Sequence, residues 1–230
     1  MRNSKPFDSL KIGIFGVNGI GQTHVRVLQA LGTNVVAVLA STQETAVSAA
    51  IEIENKYGHQ VSGFASVDNM LAMGLDGVVI STPPDAHFDQ LTQCIDKGLP
   101  VFCEKPFFWD SSCASLSHVD ELLVRLSEIG NAQVLVNTSN TVLVDSIAEV
   151  IPAADSLHSF SFHFYTNGNK TGVDIALDLL PHGLSLLLHI FGLRELTGFH
   201  LKPEDLGCNC SFTYGGCRVE FVFREDPASP

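Results

Sequence analysis

The sequence predicts an α/β chain in two parts. A doubly wound parallel sheet occupies residues 1–131, and a smaller α+β part with a mainly antiparallel open sheet occupies residues 132–230. Short continuous apolar runs alternate with amphipathic helical stretches over residues 10–104, as strands buried on both faces require. A glycine-rich turn, Gly16-Val17-Asn18-Gly19-Ile20-Gly21, follows the first run and opens the first helical stretch. Further on, the pattern changes to period-two alternation around Gly215-Gly216.

The first run, residues 11–15, feeds the glycine turn, and Ile20, His24, Val27, Leu28 and Leu31 then recur at helical spacing over 20–31. Strand, glycines and helix in this order suit a dinucleotide. The glycines allow a tight turn, and the first helical N–H groups point at a pyrophosphate. Gly16 and Gly21 hold the first and third positions of G-x-G-x-x-G, while Asn18 replaces the second with Gly19 beside it. Asparagine tolerates left-handed backbone better than most residues. A glycine turn that binds no nucleotide is the alternative at this point.

Strands follow at 34–40, 61–65, 77–81 and 101–103, and helices at 43–57, 67–73 and 86–97. Gly58 and Gly98 close two of those helices. In such sheets ligands bind beyond the carboxyl ends of the strands. The second strand ends at Ala40-Ser41-Thr42, without the acidic residue that would bind adenosine ribose hydroxyls. Small hydroxyl side chains leave room for a 2′-phosphate, so the cofactor class is NAD(P), with NADP favoured. The fourth strand ends at Ser81-Thr82-Pro83-Pro84-Asp85-Ala86-His87 and the fifth at Glu104-Lys105-Pro106. Ser41, Thr42, Ser81, Thr82, Pro83, His87, Glu104 and Lys105 are therefore candidate cofactor contacts.

A helical stripe over 110–129 ends at Gly130-Asn131, which places the boundary near residue 131. A strand at 133–136 and a helix at 141–151, closed by Pro152, come next. Residues 158–166 alternate, with Phe160, Phe162 and Phe164 on one face and His163 on the other. A helix covers 173–191. A hairpin then spans 207–224, with Tyr214 opposite Cys217, Phe212 opposite Val219, Cys210 opposite Phe221 and Cys208 opposite Phe223. That register makes three cysteines small hydrophobes on a sheet face. The 6 cysteines contain no C-x-x-C pair, so no metal site is expected.

The chain is 45% hydrophobic and 17% charged, which suits a globular fold. A formal net charge of −12 argues against a nucleic-acid partner. The start, Met1-Arg2-Asn3-Ser4-Lys5-Pro6, lacks the apolar core of a signal peptide. No run of about eighteen apolar residues predicts a membrane span. The expected compartment is the cytoplasm.

Lys105 stands at a buried strand's end, where an ammonium could meet a substrate oxygen. Asp178 and His182 lie four apart on the helix at 173–191, sharing one face, in leucine-rich surroundings. A carboxylate beside an imidazole orients it and raises its basicity. Pro181 between them predicts a kink or a new helix start. His24, His163 and His189 read as structural, with substrate contact the alternative for His163 on the polar face of its strand, His87 as capping or lining the cofactor site, and Phe107, Phe108 and Trp109 as cleft wall or core.

Taken together, the glycine turn with His24, Ser81–His87, Glu104-Lys105-Pro106, and Asp178-Leu179-Leu180-Pro181-His182 with Gly192 resemble the glucose–fructose oxidoreductase/inositol dehydrogenase (Gfo/Idh/MocA) family. The resemblance implies an N-terminal Rossmann domain and a C-terminal substrate and oligomerisation domain, here shortened, whose open sheet packs in a homodimer or higher homo-oligomer. It also implies a catalytic set of Lys105, Asp178 and His182. Hydride would move between a nicotinamide and a small polyol, sugar, sugar nucleotide or imine. Asn137-Thr138-Ser139-Asn140 departs from the arginine-containing segment of many relatives. A non-catalytic NAD(P)-binding sensor of the same fold is the alternative.

Overall fold

The computed structural model describes residues 6–130, 132–146 and 156–227. The chain divides into two compact units, 1–137 and 138–230. The division falls a few residues beyond the predicted 131, because the strand at 134–136 completes the first sheet.

In the first unit the elements are β1 (Lys11–Phe15), α1 (Ile20–Ala30), β2 (Asn34–Leu39), α2 (Gln43–Tyr57), β3 (Ser62–Phe64), α3 (Val67–Leu71), β4 (Gly77–Ile80), α4 (Pro84–Asp96), β5 (Val101–Cys103), α5 (Leu116–Ile129) and β6 (Val134–Val136). All strand pairs are parallel, in the order β3-β2-β1-β4-β5-β6. The direction of winding reverses between β1 and β4, which opens a crevice at their carboxyl ends. Successive residues serve opposite faces. Phe15 and Ile80 pack with Met70 and Leu91 on one side, while Ile14 and Val79 pack with Val25 and Ile53 on the other. Both faces are therefore buried, which is why these strands read as unbroken apolar runs.

Local signals explain the helix ends. Thr42 caps α2 by accepting a hydrogen bond from the Thr45 backbone N–H at 3.2 Å. Gly58 ends it at φ +76°. α4 begins at Pro84, two residues earlier than predicted, because proline at a first helical position has no N–H to satisfy. The stretch predicted as helix from 110 splits into a 3-10 turn at Ser111–Ala114 and α5.

The second unit contains α6 (Thr141–Ser146), β7 (Ser159–Thr166), α7 (Val173–Phe191), β8 (Leu196–Glu204), β9 (Gly207–Tyr214) and β10 (Cys217–Glu225). The predicted continuation of α6 to 151 and its closure at Pro152 lie outside the described residues. The sheet order is β7-β10-β9-β8, with β7 parallel to β10 and the other pairs antiparallel. The hairpin has the predicted register, Tyr214 to Cys217 through Cys208 to Phe223. β8 was not predicted. Gly198 and Pro203 interrupt its pattern, its register shifts between Thr197 and His200, and nearly all of it is exposed. Such features belong to an edge strand.

α7 lies along one face of this sheet. Its Ile175, Ala176, Leu179 and Leu187 pack on Cys210, Phe212, Phe221 and Phe223. Gly183 permits the close approach, since a Cβ there would sit 2.6 Å from the Phe221 ring. The helix runs through Pro181 without ending. Contrary to the sequence expectation, α7 is long and apolar enough to cross a membrane by length and mean hydropathy. Of its apolar stretch 33% is buried, where Ile175, Ala176, Leu179 and Leu187 pack on the sheet.

Candidate active site

A cleft of 760 Å³ opens at the carboxyl ends of β1, β2 and β4 in the first unit. That volume falls within the roughly 300–1,000 Å³ range of small-molecule sites. Of the predicted cofactor contacts, Gly16, Asn18, Gly19, Ser41, Ser81, Thr82 and Pro83 line it. Thr45, Ala65, Asp85 and Gln90 also line it and were not foreseen.

The glycine turn is sterically compelled. Gly16 has φ +83°, and a Cβ on it would lie 2.7 Å from the Ser81 carbonyl oxygen. A Cβ on Gly21 would lie 2.0 Å from the Gly16 carbonyl oxygen. Ser81 Oγ donates toward the Phe15 and Gly16 carbonyls at 2.9 and 2.8 Å, tying the turn to β4. Gly19 also has a positive φ, +53°, with open space around its absent side chain. Asn18 is not called on to adopt left-handed backbone, because Gly19 takes that conformation. Gly21 is buried behind the turn, and Ile20 is exposed on the first turn of α1 without lining the cleft.

Three other predicted contacts serve the scaffold instead. Thr42 caps α2, and its hydroxyl also hydrogen-bonds the Thr45 hydroxyl at 2.9 Å, leaving Thr45 at the cleft wall. His87 is fully buried. Its Nε2 faces the Thr82 carbonyl at 2.8 Å, and its Nδ1 faces the Pro106 and Phe107 carbonyls at 3.1 and 3.2 Å. The ring therefore fastens the end of β4 to the turn that carries Lys105.

Glu104 is the third, at 6% exposure. Its Oε1 meets His24 Nε2 at 2.6 Å and accepts from Asn137 Nδ2 at 2.7 Å, while its Oε2 accepts from the Lys105 backbone N–H at 3.3 Å. Burial by itself would push this carboxyl up. The bonds from His24 and Asn137, the His24 charge and the Lys105 amide outweigh it and hold the pKa below the usual range. His24 also packs edge-on against Phe102 at 5.4 Å. The first helix, the end of β5 and Asn137 are thus clasped through one carboxylate. The sequence offered His24 and Glu104 separately, and only the parallel order of β1, β4 and β5 brings them together.

Lys105 is half-buried, immediately beyond β5, and its bond to Pro106 is cis. Asp178 and His182 belong to the second unit. Both are half-buried on α7, one turn apart. The His182 ring meets Phe164 edge-on at 5.1 Å. His163 is exposed on the opposite face of β7. His189 Nε2 bonds Asp145 Oδ1 at 2.7 Å, joining α7 to α6. Among the described residues no cluster of three or more histidine, cysteine or acidic side chains could hold a metal.

Fold and cleft together define a nucleotide-binding Rossmann unit followed by an α+β unit. The family described as an oxidoreductase family with an NAD-binding Rossmann fold matches residues 10–138, and the chain belongs to that Gfo/Idh/MocA family. The rhizopine catabolism protein MocA of Rhizobium meliloti is 32% identical over 97 residues, which are 42% of this chain and 29% of that protein. Inositol 2-dehydrogenase 1 of Saccharopolyspora erythraea is 35% identical over 101 residues, 43% of this chain and 29% of its own. These alignments span under a third of the curated relatives' length. The fold extends further. UDP-N-acetylglucosamine 3-dehydrogenase GnnA from Acidithiobacillus ferrooxidans superposes with a TM-score of 0.76 at 20% identity, over 96% of this chain and 71% of that one. GenD2 from gentamicin A biosynthesis, solved in complex with NAD, gives 0.75 at 19% identity, over 100% and 69%.

Proposed function

We propose that this chain is an NAD(P)-dependent dehydrogenase or reductase acting on a small polyol, sugar, sugar nucleotide or imine. The observation that carries the reading is the glycine turn at the β1/β4 switch point, where two missing Cβ atoms shape the cleft, with Lys105 held at the end of the neighbouring strand. Gly16, Asn18, Gly19 and the first N–H groups of α1 would receive the pyrophosphate. Ser41 and Thr45 would face the adenosine ribose. The absence of an acid at the end of β2 favours NADP over NAD. When bound, the nicotinamide supplies or accepts the hydride. Lys105 donates a hydrogen bond to the substrate oxygen as charge develops there. His182, oriented by Asp178, gives or takes the proton.

Relatives named inositol 2-dehydrogenase and a structural neighbour named as a sugar-nucleotide dehydrogenase support this substrate class. The same reading includes a cytoplasmic location and a homo-oligomer formed through the open face of the β7–β10 sheet, which analytical ultracentrifugation would test.

Lys105→Ala should lower NAD(P)H-dependent turnover on a carbonyl and polyol panel by about 10²-fold or more, the usual scale for a positioned polar group. Calorimetric affinity for NADH and NADPH should stay within about twofold, as expected where a group acts on the transition state. Cofactor binding by the unaltered chain without turnover on any substrate would favour the sensor alternative. No nucleotide binding would overturn both.

A further inference from the structure

Glu225, the last residue of β10, has no part in the roles above. It is fully buried, whereas most acidic side chains of this chain are exposed. The loop before α7 closes over it. Its Oε2 accepts a hydrogen bond from the Lys170 backbone N–H at 2.6 Å, and a Cβ on Gly168 would lie 2.2 Å from that same oxygen. Its Oε1 is buried as well and receives no hydrogen bond from a described N–H or O–H donor. The neighbouring acid whose charge acts on this carboxyl is Asp178 of α7.

Two carboxyl groups bond to each other only when one carries a proton, and two that share a buried site do not both ionise readily. The arrangement says which one holds it. Oε2 is committed as an acceptor to Lys170. Oε1 is sealed from donors, so it is the oxygen left to carry hydrogen. Asp178 is half-exposed and reaches solvent more easily as the anion. Burial, followed by the hydrogen bond and negative charge of Asp178, pushes the Glu225 carboxyl up, against the opposing Lys170 amide and charge. Lys170 from the loop and Asp178 from α7 are the charged groups acting on this carboxyl. Arg224 beside it pairs with Glu204 at 3.3 Å on β8.

We propose that Glu225 is a positioning residue: a buried neutral acid that donates a hydrogen bond to Asp178 and fixes that carboxylate one helical turn from His182. The inference rests on the proposed roles of Asp178 and His182, but its tests need no substrate. The donated bond draws charge from Asp178. Removing it leaves a more basic carboxylate, which stabilises the His182 imidazolium more strongly.

The test is an NMR titration of the His182 imidazole in the full chain, with infrared detection of protonated carboxyl groups at neutral pH. The unaltered protein should show a protonated-carboxyl band that Glu225→Gln removes. Glu225→Ala should raise the His182 midpoint by about one pH unit, the ordinary scale of environmental shifts. Glu225→Gln should titrate like the unaltered chain at neutral pH, because its amide can accept from Lys170 and still donate to Asp178. It should also lack the further rise on the alkaline side that accompanies Glu225 ionisation. If Glu225→Ala does not fold, the glutamine variant decides by the lost band and the missing alkaline inflection. A band unchanged by Glu225→Gln, or a folded Glu225→Ala that leaves the His182 titration unmoved, would overturn the proposal. These outcomes hold whether or not the chain turns over a substrate.

Discussion

Removing His24 is the sharpest probe of how the first unit holds Lys105 in place. His24→Ala takes away the 2.6 Å partner of Glu104 Oε1 and leaves only Asn137 Nδ2 on that oxygen. The two side chains are 14% and 8% exposed, so water replaces the lost bond poorly. A hydrogen bond to a charged group contributes about 1.5–3 kcal/mol, and stripping one partner from a buried pair costs about 3–5 kcal/mol. Asn137 and partial access of water to His24 place the expected loss near 2–3 kcal/mol at neutral pH. Glu104 has a folded pKa below its unfolded value, so its stabilisation is fully present above the unfolded pKa and fades as pH falls through the folded one. The cost of His24→Ala should therefore shrink on acidification below about pH 4. Urea unfolding followed by fluorescence reads this unit directly, because the only tryptophan, Trp109, lies in it. Equal stability of variant and parent at neutral pH, or a difference that persists unchanged into acid, would refute the clasp.

Two further outcomes test the close approaches. Gly16→Ala combines a positive φ with a backbone clash, so it should cost about 1–3 kcal/mol and weaken NADH binding by calorimetry more than about tenfold. Gly183→Ala gains roughly 1 kcal/mol of helix propensity but drives a methyl into Phe221, which is itself hemmed in by Phe160, Phe162, Phe212 and Phe223. Overpacking of about 1–3 kcal/mol should win, and a higher melting temperature would show that α7 can lift from the sheet.

Elements with strong periodicity were legible from the sequence. The Gly215-Gly216 turn and the alternation around it determined the hairpin register that β9 and β10 adopt. The parallel strands announced themselves because both faces are buried. What stayed hidden depended on tertiary partners. Thr42, His87 and Glu104 had the right chemistry for ligand contacts and stood at the right strand ends, yet each satisfies a backbone or side-chain group created by folding. β8 escaped because an exposed edge has no buried side to impose alternation. Glu225 did leave a trace. Cys217, Val219, Phe221 and Phe223 alternate onto the core face, and Glu225 continues that series, so the periodicity places an acid where the sheet is buried.

The cysteines, first met as packing residues, turn the molecule into its own reporter of opening. All are free and buried, and burial pushes the Cys94, Cys103 and Cys210 thiols up to about 12, far from the reactive thiolate. Alkylation of the native chain must then wait for local or global opening. Cys94, Cys103 and Cys113 belong to the first unit, while Cys208, Cys210 and Cys217 belong to the second. Mass-resolved labelling at each thiol would time the two units separately in one sample, with no probe added. Any cofactor that tightens the first unit would slow one set of clocks and leave the other running.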